Sequence, residues 1–266
     1  MNQNLSIAIK AAIEAGEAIM EVYATDFEVE TKGDDSPLTM ADMRANTIIN
    51  GYLEQTDIPV ISEENREISY QERKNWSSCW IVDPLDGTKE FVKRNGEFTV
   101  NIALVEEGIP KLGVIYVPVQ RKLYFAGGAE SGAFAIEVGT GEVNAERLIK
   151  EAGPISPLSR MDPPIKVVGS RSHLNDATRA FVRDMEQSKP VEIVSRGSSL
   201  KFCLVAEGEA HLYPRYAPTM EWDTAAGQAI CESVGVKVTH EGTGEPLRYN
   251  KENLLNPHFL VAITHD

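Results

Sequence analysis

Three apolar stretches rich in β-branched residues follow one another between residues 98 and 128. They read FTVNIALVEEG, LGVIYVPV and KLYFAGG, with Gly108-Ile109-Pro110 between the first two and Pro118 at the end of the second. Glycine and proline at such points are typical of the turns between strands that fold back on one another. This part of the chain therefore predicts an antiparallel sheet.

The sequence on either side of these strands has a different pattern. Apolar residues at a 3–4 spacing predict an amphipathic helix over residues 4–24. Thr39 and Asp42 resemble a capping pair that opens a second helix, ending at about Leu53. The second half instead alternates strands with helices; the strands are IKVVGS, VEIVS, AHLYPR and FLVAI, and the helices lie near 175–187, 199–207 and 223–234.

Residues 139–164 contain several glycines and prolines and no clear periodicity. We expect the boundary between two closely joined parts in this region, with residues 1–150 forming one and residues 151–266 the other. Helices grouped ahead of a sheet, followed by alternating strands and helices, predict the α/β class.

Charge and cysteine content exclude some classes of function. Forty acidic residues against 26 basic residues give a net charge of −14, which argues against binding a nucleic-acid polymer. No window approaches the ~20 apolar residues that cross a bilayer, and no secretory signal is visible. The three cysteines show no metal-ligand spacing. We predict a cytoplasmic protein, which leaves open a peripheral association with the inner membrane face.

The segment WIVDPLDGTKEF, residues 80–91, is the strongest functional signal. A buried strand runs directly into Asp83 and Asp86, and Pro84 between them predicts that the strand ends there. Two carboxylates around the carbonyl of Leu85 are ligands of the kind that Mg²⁺ prefers. Gly87 and Thr88 then offer a turn that can receive phosphate oxygens. The alternative is a solvated turn or a helix cap.

Two further acidic positions admit the same pair of interpretations. Glu63 and Glu64 follow the apolar run IPVIS, and in isolation they read as a polar loop. Asp223 precedes the small residues of TAAG and in isolation reads as a helix N-cap. The small residues would also let that helix pack closely and bring Asp223 inward. The joint occurrence of these acidic positions favours a metal site.

Taken together, ISEEN, WIVDPLDGTKEF and WDTAAGQAI resemble the signature set of the inositol monophosphatase superfamily, over essentially the whole chain. Within it, DGTKEFVKRNGEFTVNIAL and GSSLKFCLVAEGEAHLYPR resemble the 3'(2'),5'-bisphosphate nucleotidases of the CysQ type. The resemblance implies a layered α-β-α-β-α sandwich and a lithium-sensitive phosphomonoesterase that uses two or three Mg²⁺ ions.

The resemblance also implies roles for individual residues. It implies metal ligation by Glu63, Asp83, Asp86 and Asp223 with the carbonyl of Leu85. Thr88, together with Glu63 or Asp42, would orient the attacking water, and Asp42 would help to hold an additional metal ion.

The second half supplies candidate substrate contacts. The resemblance implies that His173, Ser198, Lys201 and Arg215 join Gly87 and Thr88 in holding the nucleotide and its other phosphate. Without the resemblance, His173 reads as a surface or capping residue, and Lys201 and Arg215 read as solvated surface charges. Glu221 departs from the family, since related sequences often carry an apolar residue there. It either alters metal affinity or faces solvent.

The predicted reaction is removal of the 3'-phosphate from adenosine 3',5'-bisphosphate, giving AMP and phosphate in sulfur assimilation, with 3'-phosphoadenylyl sulfate as a second substrate. One alternative is an inositol monophosphatase or fructose-bisphosphatase. The other is a nucleotide-binding regulator that needs metal and has no turnover. The oligomeric state is left open.

Overall fold

The computed structural model describes residues 3–25, 37–128, 131–170 and 175–263. Its helices of four residues or more are α1 (Gln3–Tyr23), α2 (Pro37–Leu53), α3 (Tyr70–Arg73), α4 (Thr88–Val92), α5 (Ala145–Glu151), α6 (Asp176–Glu186), α7 (Leu200–Ala206) and α8 (Ala225–Glu232). Its strands are β1 (Val60–Ser62), β2 (Ser78–Asp86), β3 (Thr99–Glu106), β4 (Ile109–Val117), β5 (Lys122–Ala126), β6 (Ala133–Glu137), β7 (Gly153–Pro154), β8 (Ile165–Ser170), β9 (Val191–Arg196), β10 (Leu212–Arg215), β11 (Val236–His240) and β12 (Phe259–Ile263).

The strands form two sheets. The first has seven strands in the order β1-β2-β3-β4-β5-β6-β7, and the second has five in the order β11-β12-β10-β8-β9. The strands predicted between residues 98 and 128 are β3, β4 and β5, and they pair antiparallel as expected. Strand β7 closes the first sheet by pairing with β6, so the change from one sheet to the other falls between residues 154 and 165.

Helices and sheets alternate in five layers, which confirms the predicted sandwich. Helices α1 and α2 cover one face of the first sheet, α7 and α8 lie between the two sheets, and α6 packs on the second. The first apolar cluster joins α1 and α2 to the first sheet; the second joins both sheets through α7 and α8. All three cysteines are buried with free thiols. Among the described helices, none has the length and apolar character needed to span a membrane.

Small residues allow α8 to lie directly on the first sheet. A Cβ added to Gly113 of β4 would come 2.4 Å from the Ala226 carbonyl oxygen, and one added to Gly227 would come 2.4 Å from the Phe202 ring. The helix backbone therefore approaches its neighbours more closely than larger side chains would permit. This close packing brings the segment before α8, which includes Asp223, against the first sheet.

Several boundaries differ from the sequence prediction. Helix α2 already begins at Pro37, so Thr39 and Asp42 lie inside it and do not form its capping pair. Proline suits the first turn of a helix because its missing N–H has no partner there. Strand β11 and helix α5 were not predicted.

Candidate active site

Parallel pairing of β1 with β2 brings two acidic residues side by side. Ser62 pairs with Val82, and the Glu63 amide donates to the Val82 carbonyl over 3.2 Å. Glu63 therefore follows β1 at the level where Asp83 stands on β2, and the charge of Glu63 contributes to raising the pKa of Asp83. Two sequence segments that are each unremarkable as turns thus meet at one edge of the sheet.

Strand β2 continues through Pro84, contrary to the prediction that it ends there. The pairing with β3 is irregular between Asp83 and Asp86, which accommodates the proline within the strand. The Asp83 side chain accepts a hydrogen bond from the Leu85 amide at 3.1 Å. Gly87 follows with a φ of 98°, a left-handed conformation that favours glycine, and α4 starts at Thr88.

Asp223 reaches the same place from the second half of the chain. It ends a short 3₁₀ turn, Glu221–Asp223, and its Oδ2 accepts a hydrogen bond from the Met220 amide at 2.8 Å. Its side chain therefore caps this turn and not α8, which begins two residues later at Ala225. The N-cap interpretation is wrong for α8, and the predicted inward position of Asp223 is confirmed.

These segments bring Asp83, Asp86 and Asp223 together, with one carboxylate oxygen of each within 4.8 Å of the others. Burial raises the pKa of Asp83 well above its ordinary value, and the charges of Asp86 and Glu63 raise it further. Burial and then Asp86 raise the pKa of Asp223 to about 7. The acidic groups disfavour one another's negative charge, and the charges of Lys201 at Asp86 and of Arg215 at Asp223 offset this only in part.

Asp42 and Glu63 border this cluster. Asp42 is buried on α2, and burial followed by the charges of Glu64 and Glu63 raises its pKa to about 8. Glu63 keeps a solvent-exposed side, but the protein packed around it and the neighbouring Glu64 raise its pKa to about 7. Both carboxylates add negative charge to the same region.

An amide cluster fixes α2 against the segment that carries Glu63. Asn46 donates to the side-chain oxygen of Asn65 at 2.9 Å, Asn65 donates to that of Asn50 at 3.0 Å, and Ser62 donates to that of Asn46 at 2.8 Å. Asn46 lies one helical turn after Asp42, whereas Ser62 and Asn65 flank the Glu63–Glu64 pair. This contact sets the position of Asp42 relative to Glu63.

The donor set fits a divalent cation of the Mg²⁺ type. Hard cations take oxygen ligands, and three converging carboxylates with a fourth beside them supply such oxygens. The raised pKa values also favour a cation site, because a bound cation would offset the repulsion between carboxylates that helps to raise them. Whether the carbonyl of Leu85 takes part stays a prediction.

One cleft runs from this cluster to a positively charged wall. Residues 86–90 line one side, and Ser198, Lys201, Tyr213 and Arg215 line the other. Lys201 is 6% exposed, and burial lowers its pKa to about 8 against the opposing effect of Asp86. In the described part of the chain, the buried Nε of Arg215 has no hydrogen-bond partner. The wall therefore offers unused donors to an anion.

Asp86 joins the two halves of the chain. Its Oδ2 accepts a hydrogen bond from the Ser199 amide at 2.6 Å and faces the Asn101 side-chain amide at 3.4 Å. The Ser199 hydroxyl in turn donates to Asn101 over 2.7 Å. The segment before α7 is thereby tied to the end of β2, so these contacts fix the start of the helix that carries Lys201 relative to Asp86.

Glu221 neither faces solvent nor joins the acidic cluster. It is completely buried and accepts hydrogen bonds from the Asn250 amide at 2.6 Å, the Lys251 amide at 3.1 Å and the Lys251 ammonium at 2.5 Å. Arg73 holds the segment that contains Lys251 in place by donating to the carbonyls of Lys251 and Glu252. These partners of Glu221 could not be predicted from the sequence, because Lys251 lies 30 positions away and no local pattern links the two residues.

The structure brings most of the predicted site residues together. Gly87, Thr88, Ser198, Lys201 and Arg215 line the cleft beside Asp86 and Asp223. His173 lies outside the described residues, so its predicted contact with the nucleotide stays a prediction. Glu90 also lines the cleft, although the sequence analysis did not select it as a site residue.

Comparison with known proteins gives the same picture at the level of the whole chain. The family model described as the inositol monophosphatase family matches residues 1–262. The chain is 48% identical over 257 residues to the 3'(2'),5'-bisphosphate nucleotidase CysQ of Salmonella typhimurium, covering 95% of this chain and 96% of the relative. It is 46% identical over 257 residues to the protein of the same name from Escherichia coli K12, with the same coverage.

Solved structures of related proteins share the fold of this chain. The crystal structure of CysQ from Bacteroides thetaiotaomicron, a bacterial member of the inositol monophosphatase family, matches with a TM-score of 0.93 at 47% identity, covering 100% of this chain and 99% of that one. An inositol monophosphatase from Zymomonas mobilis shares the fold with a TM-score of 0.76 at 20% identity, covering 97% of this chain and 92% of that one. From its sequence match and its fold, this chain belongs to the inositol monophosphatase family.

Proposed function

We propose that the protein is a 3'(2'),5'-bisphosphate nucleotidase that removes the 3'-phosphate of adenosine 3',5'-bisphosphate and releases AMP and phosphate. The observation that carries the proposal is one cleft lined both by Asp86 and Asp223 of the three converging carboxylates and by the cationic side chains of Lys201 and Arg215. Relatives that match across 95% of the chain carry this activity in their names.

A substrate with two phosphates suits this distribution of charge. The phosphate to be hydrolysed would lie at the end formed by Asp83, Asp86 and Asp223, where divalent cations would be held. Lys201 and Arg215 would bind the other phosphate, because an ammonium and a guanidinium form strong charge-assisted hydrogen bonds with phosphate oxygens. A substrate with one phosphate would leave part of the positive wall unused.

Bound divalent cations supply polarisation of the phosphoryl oxygens, a lower pKa for water and stabilisation of the leaving alkoxide. Carboxylates of the chain hold and position those cations; these are Glu63, Asp83, Asp86 and Asp223, with Asp42 at the border. Thr88 would orient the attacking water by a hydrogen bond from its side chain. Glu63 or Asp42 would accept the proton that the water loses, since a carboxylate within hydrogen-bonding reach of the water can act as a general base.

We further propose two or three Mg²⁺ ions as the cofactor, a cytoplasmic location, and a role in clearing the bisphosphate nucleotide formed during sulfur assimilation. In this proposal residues 1–150 form the metal-binding half and residues 151–266 form the substrate-binding half. Asp223 belongs to the second half but contributes a ligand to the metal site.

Release of phosphate from purified protein tests the proposal. Adenosine 3',5'-bisphosphate, 3'-phosphoadenylyl sulfate and inositol 1-phosphate are compared with Mg²⁺ and with chelator. We expect the first two to be hydrolysed in a Mg²⁺-dependent way and to exceed inositol 1-phosphate in kcat/KM. A preference for inositol 1-phosphate would identify an inositol phosphatase, and nucleotide binding without any phosphate release would identify a regulator.

A further inference from the structure

Glu90 lines the cleft and has no hydrogen-bond partner for its carboxylate among the residues that the structure describes. It follows Thr88 and Lys89 on α4, is 9% exposed, and lines the cleft together with Lys201 and Arg215. Across the described ranges of the chain, its side chain forms neither a hydrogen bond nor an ion pair of 4 Å or less. Among the described residues, the buried side-chain polar atom without a partner is Arg215 Nε, so the Glu90 oxygens are accessible from the cleft and can accept hydrogen bonds from a ligand there.

The backbone beside Glu90 closes off one direction for its side chain. A Cβ added to Gly197 would come 2.5 Å from the Glu90 Cγ and 3.0 Å from its Cδ. The Gly197 amide is itself held by the Glu97 carboxylate at 2.9 Å, so this backbone is anchored. The aliphatic part of the Glu90 side chain therefore packs against the anchored backbone at Gly197, and its carboxylate remains accessible from the cleft.

Glu90 has chemistry opposite to that of the cationic wall. Lys201 and Arg215 present donors, whereas an ionised carboxylate only accepts hydrogen bonds. A negative charge in a cleft that binds phosphates weakens phosphate binding, and Glu90 also acts electrostatically on Lys201 and Asp86. Besides favouring the protonated form of Lys201, the carboxylate can accept a hydrogen bond from a donor that the ligand brings.

We infer that Glu90 is a specificity-determining residue that accepts a hydrogen bond from an O–H or N–H donor on the nucleoside part of the substrate. The inference rests on the proposed nucleotidase function and extends it. Two donors of adenosine 3',5'-bisphosphate have the required chemistry, the ribose 2'-hydroxyl and the adenine amine. A carboxylate that recognises either one would favour a nucleotide over a phosphate ester that lacks the donor.

The experiment combines variants of Glu90 with substrates that lack one donor each. Adenosine 3',5'-bisphosphate is compared with 2'-deoxyadenosine 3',5'-bisphosphate, which lacks the hydroxyl, and with purine riboside 3',5'-bisphosphate, which lacks the amine. Kinetics are measured at saturating Mg²⁺ for the wild type, Glu90→Met and Glu90→Gln. Met keeps the length of the stem and removes the acceptor, whereas Gln keeps one acceptor oxygen. Glu137→Gln, an exposed residue of β6, controls for the change in net charge.

For adenosine 3',5'-bisphosphate we expect Glu90→Met to lower kcat/KM by about 10- to 100-fold, mainly through KM, as loss of a hydrogen bond to a charged group does. Glu90→Gln should lose less. On the analogue that lacks the contacted donor, wild type and Glu90→Met should become nearly equal. Which analogue shows this identifies the hydroxyl or the amine as the donor.

A Glu90→Met effect of the same size on all three substrates, or a uniform fall in KM, would overturn the inference. The uniform fall is what simple relief of repulsion between Glu90 and the phosphates would produce. Either result, with active wild-type protein, leaves the proposed nucleotidase function standing. Absence of bisphosphate hydrolysis by the wild type would instead overturn that function and this inference with it.

Discussion

Glu221 and Asp223 are two residues apart on the same short turn, and their carboxylates lie in opposite environments. Glu221 receives two backbone amides and the Lys251 ammonium, all within 3.1 Å. Asp223 receives one backbone amide and stands beside Asp83 and Asp86. Burial raises the pKa of both groups, but Lys251 opposes the effect at Glu221, whereas Asp86 adds to it at Asp223 and brings the pKa to about 7.

The local balance of charge therefore distinguishes Glu221, which we assign a structural role, from Asp223, which we propose as a metal ligand. The protein satisfies Glu221 completely, so Glu221 stabilises the turn that carries Asp223. The protein leaves the cluster around Asp223 with excess negative charge, which the proposed divalent cations would offset. A ranking by burial alone would place Glu221 first among candidate metal ligands, since it is the more deeply buried of the two.

Asp83→Asn should have the largest effect on activity. We expect kcat/KM to fall by about 10³-fold or more, because a ligand to the cations is lost and their contribution amounts to several kcal/mol. Asn retains the oxygen that accepts from the Leu85 amide, so the fold should persist. In chelator, the midpoint of thermal unfolding should stay equal or rise, since one of several repelling charges is removed. Near-wild-type turnover at saturating Mg²⁺ would contradict the assignment.

Glu221→Gln should mainly lower stability, whereas Asp83→Asn mainly lowers activity. Loss of the charge paired with Lys251 should lower the free energy of unfolding by about 2 kcal/mol, as measured by denaturant titration, because a buried, hydrogen-bonded pair is broken and Lys251 retains access to water. Asp223→Asn, measured in the same buffer with chelator, is the matched control and should not be destabilised. Equal destabilisation by both variants would refute the distinction between the two carboxylates.

The pH dependence of stability should differ with and without Mg²⁺. Asp42, with a pKa raised to about 8, and Asp223, raised to about 7, hold protons in the folded state that the unfolded chain releases at a pH near 4. The free energy of unfolding in chelator should therefore fall by several kcal/mol as the pH rises from 5 to 8, since both groups must lose their protons in the folded state over this range. Saturating Mg²⁺ competes with those protons and should raise the unfolding midpoint more at pH 8 than at pH 6. An equal increment at both values would show that the cation binds elsewhere.

Asn65→Ala should have the smallest effect. It removes hydrogen bonds between α2 and the segment carrying Glu63, so the distance between Asp42 and Glu63 becomes less well defined. We expect the Mg²⁺ concentration for half-maximal activity to rise several-fold, equivalent to about 1 kcal/mol, with little change in kcat at saturating Mg²⁺. Asn253→Ala, at an amide that caps a surface turn, serves as control. A fall in kcat without a change in Mg²⁺ dependence would contradict a positioning role.

Much of the fold could be predicted because the signals are local. Strands β3, β4 and β5 follow from apolar runs rich in β-branched residues and from their turn residues, and α1 follows from its 3–4 periodicity. The prediction failed where packing overrides a local rule. Pro84 was expected to end β2, but the irregular pairing with β3 keeps it within the strand. Strand β11 is short, and its VKVTH sequence gives no strong signal outside the sheet.

The sequence by itself determined which elements form and which acidic residues stand at their ends, since apolar periodicity and turn chemistry act over a few neighbouring residues. Only the tertiary structure decided which of those carboxylates are neutralised by the protein. Lys251 lies 30 positions from Glu221, and Ser199 lies 113 positions from Asp86. Electrostatic balance depends on distance in space, and only the folded chain brings such partners within reach.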